Sequence, residues 1–227
     1  MGVAVHLTTV LLEPLALSLQ IAVLATSLAG TTALALIALT HGRKVAGVVD
    51  AVLTAPLVLP PTVLGYYLLT LLGRRSALGG AWGWLTGSSF VFTRTGAVIA
   101  ATITALPLVL QSARAAIDAV DPTLLDAART LGATRLGALG RVALPLASRG
   151  VAAGLLLGFA RACGDFGVTL MIAGNIPGET QTAALALYDA VLAGREADAQ
   201  SLALTLTVLA VVLIASVQWL GRRPHAR

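Results

Sequence analysis

Arg161 and Asp165 are the charged residues inside an otherwise apolar run, Gly150 to Ala173. A charge in such a segment is costly to bury, so it marks either a pair or a path for polar cargo. Four residues apart, the two share one face of a continuous helix and can meet. Two readings stand open. In one, Arg161 lines the route of an anion and Asp165 holds the guanidinium in place. In the other, the pair is a link that fixes helix packing. Thr169, Asn175, Thr180 and Gln181 follow, and are either neutral hydrogen-bonding groups near the mouth of such a route or ordinary loop residues.

Other chemistries find no residues to carry them. A phosphate-binding P-loop needs Gly-Lys-Ser/Thr, and the only lysine, Lys44, follows Arg43. No Gly-x-Ser-x-Gly elbow or His-Glu-x-x-His site occurs. His6, His41 and His225 are scattered without metal-ligand spacing, and Cys163, the single cysteine, allows neither a disulfide framework nor a zinc knuckle. No metal or cofactor is expected, and the chain is read as a non-enzyme. The competing reading is a membrane-embedded enzyme working through intramembrane acids.

The elements that must position these residues are spanning helices. Of 227 residues, 57% are apolar and 11% charged, with a mean hydropathy of +0.90. A soluble domain carries about 25% charged residues, so the conflict is removed only by a lipid solvent. A spanning helix needs about 20 apolar residues. Leu15 to Leu39, Ala51 to Leu72, Thr95 to Ala113, Gly150 to Ala173 and Gln200 to Leu220 meet that need. The expected architecture is therefore an all-α membrane bundle of about five transmembrane helices, one transmembrane domain over residues 1–227. Pro56, Pro60 and Pro61 are expected to kink the second span, and Pro107 lies in the third. Thr180 to Ala193 is apolar but short and is read as re-entrant or interfacial. Met1 to Leu12 lacks a basic n-region and a small-residue cleavage site, so no cleaved signal is expected. Small residues such as Ala22, Ala25, Gly30, Gly154 and Gly158 permit close helix approach.

A net charge of +5 does not point to nucleic acid, because no basic, aromatic-laced stretch exists. The arginines instead mark topology. Arg43 and Lys44, then Arg114, Arg129, Arg135, Arg141 and Arg149, then Arg222, Arg223 and Arg227 fall on one side. That side is expected to be cytoplasmic, with the N-terminus outside and the C-terminus inside. The second loop, with Arg74, Arg75 and Arg94, opposes this scheme with fewer basic residues than the third.

The longest polar interruption, residues 118–147, holds most local information. Asp121-Pro122 is a helix start, with a capping carboxylate and a proline at the first position. Leu124, Ala128 and Leu131 form one apolar stripe, Gly132 stops the helix, and a second short helix can begin at Thr134. Such a helix either docks in a partner's groove or lies among lipid headgroups.

Asp126-Ala127-Ala128, three residues, Gly132, nine residues, then Val142-Ala143-Leu144-Pro145 resembles the EAA loop of ABC-importer permeases, with Asp for Glu and Val for Ile. Ala55 to Leu69 and Ala160 to Thr182 resemble the molybdate-permease family, with Gly164-Asp165-Phe166-Gly167 where that family usually has Gly-Glu-Phe-Gly. Sulfate permeases are related and share the loop. The resemblance covers roughly Leu15 to Leu220 and is to the shorter members with five core helices. It implies a type I importer permease without an ATPase site of its own. Asp126, Ala127, Ala128, Gly132, Leu144 and Pro145 would form the coupling segment seated on cytoplasmic ABC ATPase subunits. A substrate-binding protein would stand on the outer side, two copies would form a homodimer, and the location would be the prokaryotic inner membrane. The cargo would be molybdate or tungstate, with Arg161, Asp165, Thr169 and Asn175 as pathway candidates. A sulfate importer is the nearer alternative; a secondary transporter would call for inverted repeats and charges in several spans, and neither is seen.

Overall fold

The computed structural model describes residues 8–40 and 45–221, and every element among them is helical. Arg43, Lys44, Arg222, Arg223, Arg227 and the three histidines therefore lie outside the described residues. After a π-helical turn, Thr8–Leu12, come α1 (Glu13–Thr40), α2 (Ala46–Val58), α3 (Pro61–Leu72), α4 (Ala77–Thr86) and α5 (Arg94–Asp118). Then follow α6 (Pro122–Thr130), α7 (Arg135–Ala138), a second π turn (Leu139–Ala143), α8 (Leu144–Cys163), α9 (Gly167–Ala173), α10 (Ala183–Leu192) and α11 (Glu196–Gly221). Four helical stretches are long and apolar enough to cross a membrane, or five when α2 and α3 count as one broken span. The expected all-α membrane bundle is what the chain forms.

Hydroxyl side chains start many of these helices. Ser76, Thr93, Thr134 and Thr182 each accept a hydrogen bond from a backbone N–H of the following turn, satisfying donors that the helix itself leaves open. The core lies between α1, α5 and α8 and is built from alanine. Ala22, Ala25, Ala29 and Ala33 of α1 and Ala97, Ala101, Ala105 and Ala113 of α5 have no accessible surface. Gly158 faces Val109, and Gly154 faces Ser112 with no room for a Cβ. In lipid the hydrophobic effect does not drive helices together, so this close approach supplies dispersion contact. α11 packs at the periphery, and only 6% of its most apolar window is buried.

Three expectations need correction. The second span is not one kinked helix: α2 and α3 meet at 112°. Pro60 and Pro61 lack the N–H groups that would continue the ladder, and the extended Pro60 (ψ 136°) starts α3 afresh. The fourth apolar run is also broken. α8 ends at Cys163 and α9 begins at Gly167, so Arg161 and Asp165 do not share one helix. The second loop helix, in turn, is no separate element. α7 runs through the π turn into α8, giving a single apolar stretch over Arg135–Cys163. Pro145 has no N–H to give the carbonyl of Arg141, and the wider π turn just before it absorbs that missing bond. The short apolar segment at 180–193 holds α10, whose 10 residues are too few to cross.

Candidate coupling loop and pathway residues

α6 is built as a capped unit. The Asp121 carboxylate accepts from the Thr123 N–H at 2.9 Å. That bond, with the Thr123 side chain, holds the Asp121 carboxyl below its ordinary value of 3.8. At the other end Gly132 adopts φ +90°. The Ala133 N–H donates to the Ala128 carbonyl at 3.0 Å and the Gly132 N–H to the Arg129 carbonyl at 2.9 Å. This is a Schellman motif, and it needs a residue free of Cβ strain at 132. Ala128 is thus the residue whose carbonyl closes the motif. Asp126 and Ala127 are exposed, and Asp126 pairs with Arg129 at 3.2 Å on the same turn. Leu124 is 46% exposed and Leu131 89%, so the apolar stripe expected on this helix faces outward.

Leu144 and Pro145 stand at the base of α8, Leu144 half-buried and Pro145 exposed. Pro145 lines an open cleft of about 600 Å³ with Ala115, Ala119, Ser148, Arg149 and Leu220. The ends of α5 and α11 and the start of α8 therefore share one end of the bundle with the loop. At the opposite end Arg94 donates to the carbonyls of Glu179 and Gly178, both at 2.9 Å. It lines a second cavity with Glu13, Gln20 and Gln181. Arg94, which opposed the topology scheme, is thus engaged locally beside acidic residues.

The pathway candidates divide. Asp165 is 2% exposed and accepts three hydrogen bonds. They come from Arg161 Nη1 at 3.0 Å, the Thr169 N–H at 3.0 Å and the Thr169 hydroxyl at 2.6 Å. One carboxylate thus ties the last turn of α8 to the first turn of α9 across the break. Arg161 keeps 33% of its side chain exposed, so its charge is partly balanced and still reachable. Asn175 does not join this cluster. It follows α9, and its Oδ1 is buried with no hydrogen-bond partner among the described residues. Thr180 is fully buried and folds its own loop, accepting from the Ile176 N–H at 3.1 Å, while Gln181 faces the cavity near Arg94.

Sequence reasoning missed a second, half-buried ion pair. Arg114 of α5 reaches Asp50 of α2 at 2.7 Å and donates to the Thr40 hydroxyl at 2.9 Å. A signal was present: Asp50 and Arg114 each border an uncharged run, at ends expected to lie on one side of the membrane.

A bundle of four or five helices able to span, with broken interior segments and an exposed, doubly capped helix at one end, defines a polytopic membrane protein. The chain belongs to the family of binding-protein-dependent transport system inner membrane components, whose model matches residues 12–225. It is 41% identical over 180 residues to the molybdenum transport system permease protein of Escherichia coli strain K12, covering 78% of each chain. To the sulfate transport system permease protein of Salmonella typhimurium it is 29% identical over 177 residues, covering 77% of this chain and 62% of that one. It shares its fold with a bacterial ABC transporter involved in import of the acidic polysaccharide alginate. The TM-score is 0.71 at 16% identity, covering 97% of this chain and 80% of that one.

Proposed function

We propose that this chain is the pathway subunit of an ATP-driven importer of molybdate, with tungstate as a cargo of nearly the same shape and charge. The observation that carries the coupling role is the capped α6 with its outward apolar stripe and exposed Asp126, held by a Schellman turn at one end of the bundle. A helix so fixed at both ends is a rigid knob suited to a groove on a partner. The 41% identity to a molybdenum permease, against 29% to a sulfate permease, supports the choice of anion.

In this reading two copies, each one transmembrane domain, frame the route, and the α6 end faces the cytoplasm. Each copy sits on one ABC ATPase through Asp126, Ala127, Ala128, Gly132, Leu144 and Pro145. A binding protein delivers cargo at the end carrying Glu13, Arg94 and Asn175. ATPase closure moves the two α6 helices together and turns the bundle outward; hydrolysis resets it, a rigid-body alternating access. Arg161 supplies a positive charge on the route. Asp165, fixed by Thr169, weakens the hold of that charge on the anion, because a passage must release what it binds.

The test is ATP hydrolysis by the reconstituted complex, with binding protein loaded in turn with molybdate, tungstate or sulfate. Stimulation by the first two alone supports the reading. Stimulation by sulfate alone keeps the architecture and moves the cargo, and no stimulation by any of them removes the importer.

A further inference from the structure

Among the described residues the polar partners of Arg114 are Thr40 and Asp50, and they belong neither to the coupling loop nor to the Arg161 cluster. Arg114 lies four residues before the end of α5, and α5 leads through Ala119–Asp121 directly into α6. Its Nη2 donates to the hydroxyl of Thr40, the last residue of α1. That hydroxyl in turn donates to the Leu36 carbonyl at 2.7 Å, which fixes its lone pairs toward the guanidinium. Its Nε approaches Asp50 Oδ2 at 2.7 Å. This is a charge contact, not an aligned hydrogen bond, since among the described residues Nε has no hydrogen-bond partner and neither does the buried Asp50 Oδ1. Arg114 and Asp50 are 14% and 25% exposed.

The helix held by this contact otherwise packs on α5 chiefly through half-buried Leu53. α2 contains no fully buried residue, and Val48 and Val52 are each 67% exposed. Its far end is the 112° break. Beyond the break, α3 is packed without free space on α9, with Gly65 against Met171 and Gly167 against Pro61. α9 is the helix that Asp165 caps. A lever lies between a charge contact beside the coupling loop and a hinge beside the pathway cluster.

We propose that Arg114–Asp50 is a latch that joins movement of the coupling loop to α2, making both positioning residues of the transport cycle. A buried network with every polar atom satisfied rigidifies its surroundings. This pair, with one carboxylate oxygen unpartnered among the described residues, is held by attraction at 2.7 Å and can open and re-form as α5 shifts. The inference rests on the importer reading above.

The test uses the full complex in proteoliposomes and reads molybdate transported per ATP hydrolysed. The apolar double variant Asp50→Leu/Arg114→Met keeps volume without leaving a lone buried charge, so a merely structural pair tolerates it. The latch predicts an assembled complex whose transport per ATP falls about tenfold, the size of an ordinary coupling loss. The exchanged pair Asp50→Arg/Arg114→Asp is expected to recover most of that ratio. An assembled apolar double variant with the wild-type ratio overturns the latch while leaving the importer intact. An exchanged pair that assembles but stays as uncoupled as the apolar variant overturns it as well. A wild-type complex without ATP-driven uptake removes the importer reading, and the latch with it.

Discussion

Gly167 lies against Pro61 so closely that a Cβ on the glycine would sit 2.7 Å from the proline Cβ. Each residue is the first of its helix, Gly167 of α9 and Pro61 of α3. The two interruptions of the spanning segments therefore meet face to face. Leu64, Leu68, Ala100, Val168 and Ile172 form a small core of their own beside this contact.

Gly167→Ala forces these two starts apart. Overpacking of a tight contact costs about 1–3 kcal/mol, and the thermal midpoint of the purified protein should fall accordingly. Gly47→Ala in α2, where nothing lies within 4 Å, is the matched control and should leave the midpoint level or raise it slightly. Equal midpoints for the two variants would mean that the contact is slack.

Asp165→Ala strands the N–H and hydroxyl of Thr169 and removes the partner of Arg161, at about 1–3 kcal/mol for the unsatisfied groups. Arg161→Gln leaves both Thr169 bonds to Asp165 in place but takes the counter-charge from a carboxylate that is 2% exposed, so a loss of about 3 kcal/mol is expected. Uptake then separates the two roles of Arg161. A stable Arg161→Gln complex that loses molybdate uptake supports the pathway role, and one that transports normally leaves Arg161 a packing residue.

Gly132→Ala strains the Schellman turn by about 1–2 kcal/mol, since an L side chain resists positive φ. Gly132→Pro goes further, because the ring fixes φ near −65° and removes the N–H that closes on Arg129. ATP-dependent uptake should weaken in the first variant and vanish in the second. Full uptake with proline at 132 would remove the docking role of this loop.

The lowered Asp121 pKa gives the loop a defined response to acid. A carboxylate whose folded pKa is depressed stabilises above its unfolded value, here 3.8, and that contribution is lost as pH falls through the lower folded value. Amide protection of Leu124 and Leu125 should hold from neutral pH to about 4 and then decline. Asp121→Asn keeps the cap but has no proton to gain, so its protection should show no such step. A step of equal size in both proteins would place the titrating group elsewhere.

How much of this was legible depended on the range of each signal. The helix over Pro122–Thr130 could be read because its start, Asp121-Pro122, and its stop, Gly132, are local and physical. The spans could be read because a run of uncharged residues has few other uses. The size of the breaks was less plain. Pro60 and Pro61 announced a kink but not a 112° corner, and the apolar run around Phe166 concealed the turn between α8 and α9. α4 had a usable sign in Ser76, which caps it, but its glycine-rich start reads as loop. Gly167 against Pro61 and Arg114 against Asp50 join residues far apart in the chain, and no local pattern announces either partner. Among the site residues, the grouping of Arg161 with Asp165 followed from spacing, although the geometry is a bridge across a helix end. Asn175 has only its position after the run to mark it in the sequence, and it stands apart from that cluster.

The most direct measurement is uptake of labelled molybdate into vesicles holding this chain with its ABC ATPase, loaded binding protein outside and ATP inside. Uptake that requires hydrolysable ATP, stops with Asp126→Lys, and is absent without the binding protein is the predicted result. Uptake that persists without ATP and follows the membrane potential would contradict the account, and would make this bundle a passage that no ATPase drives.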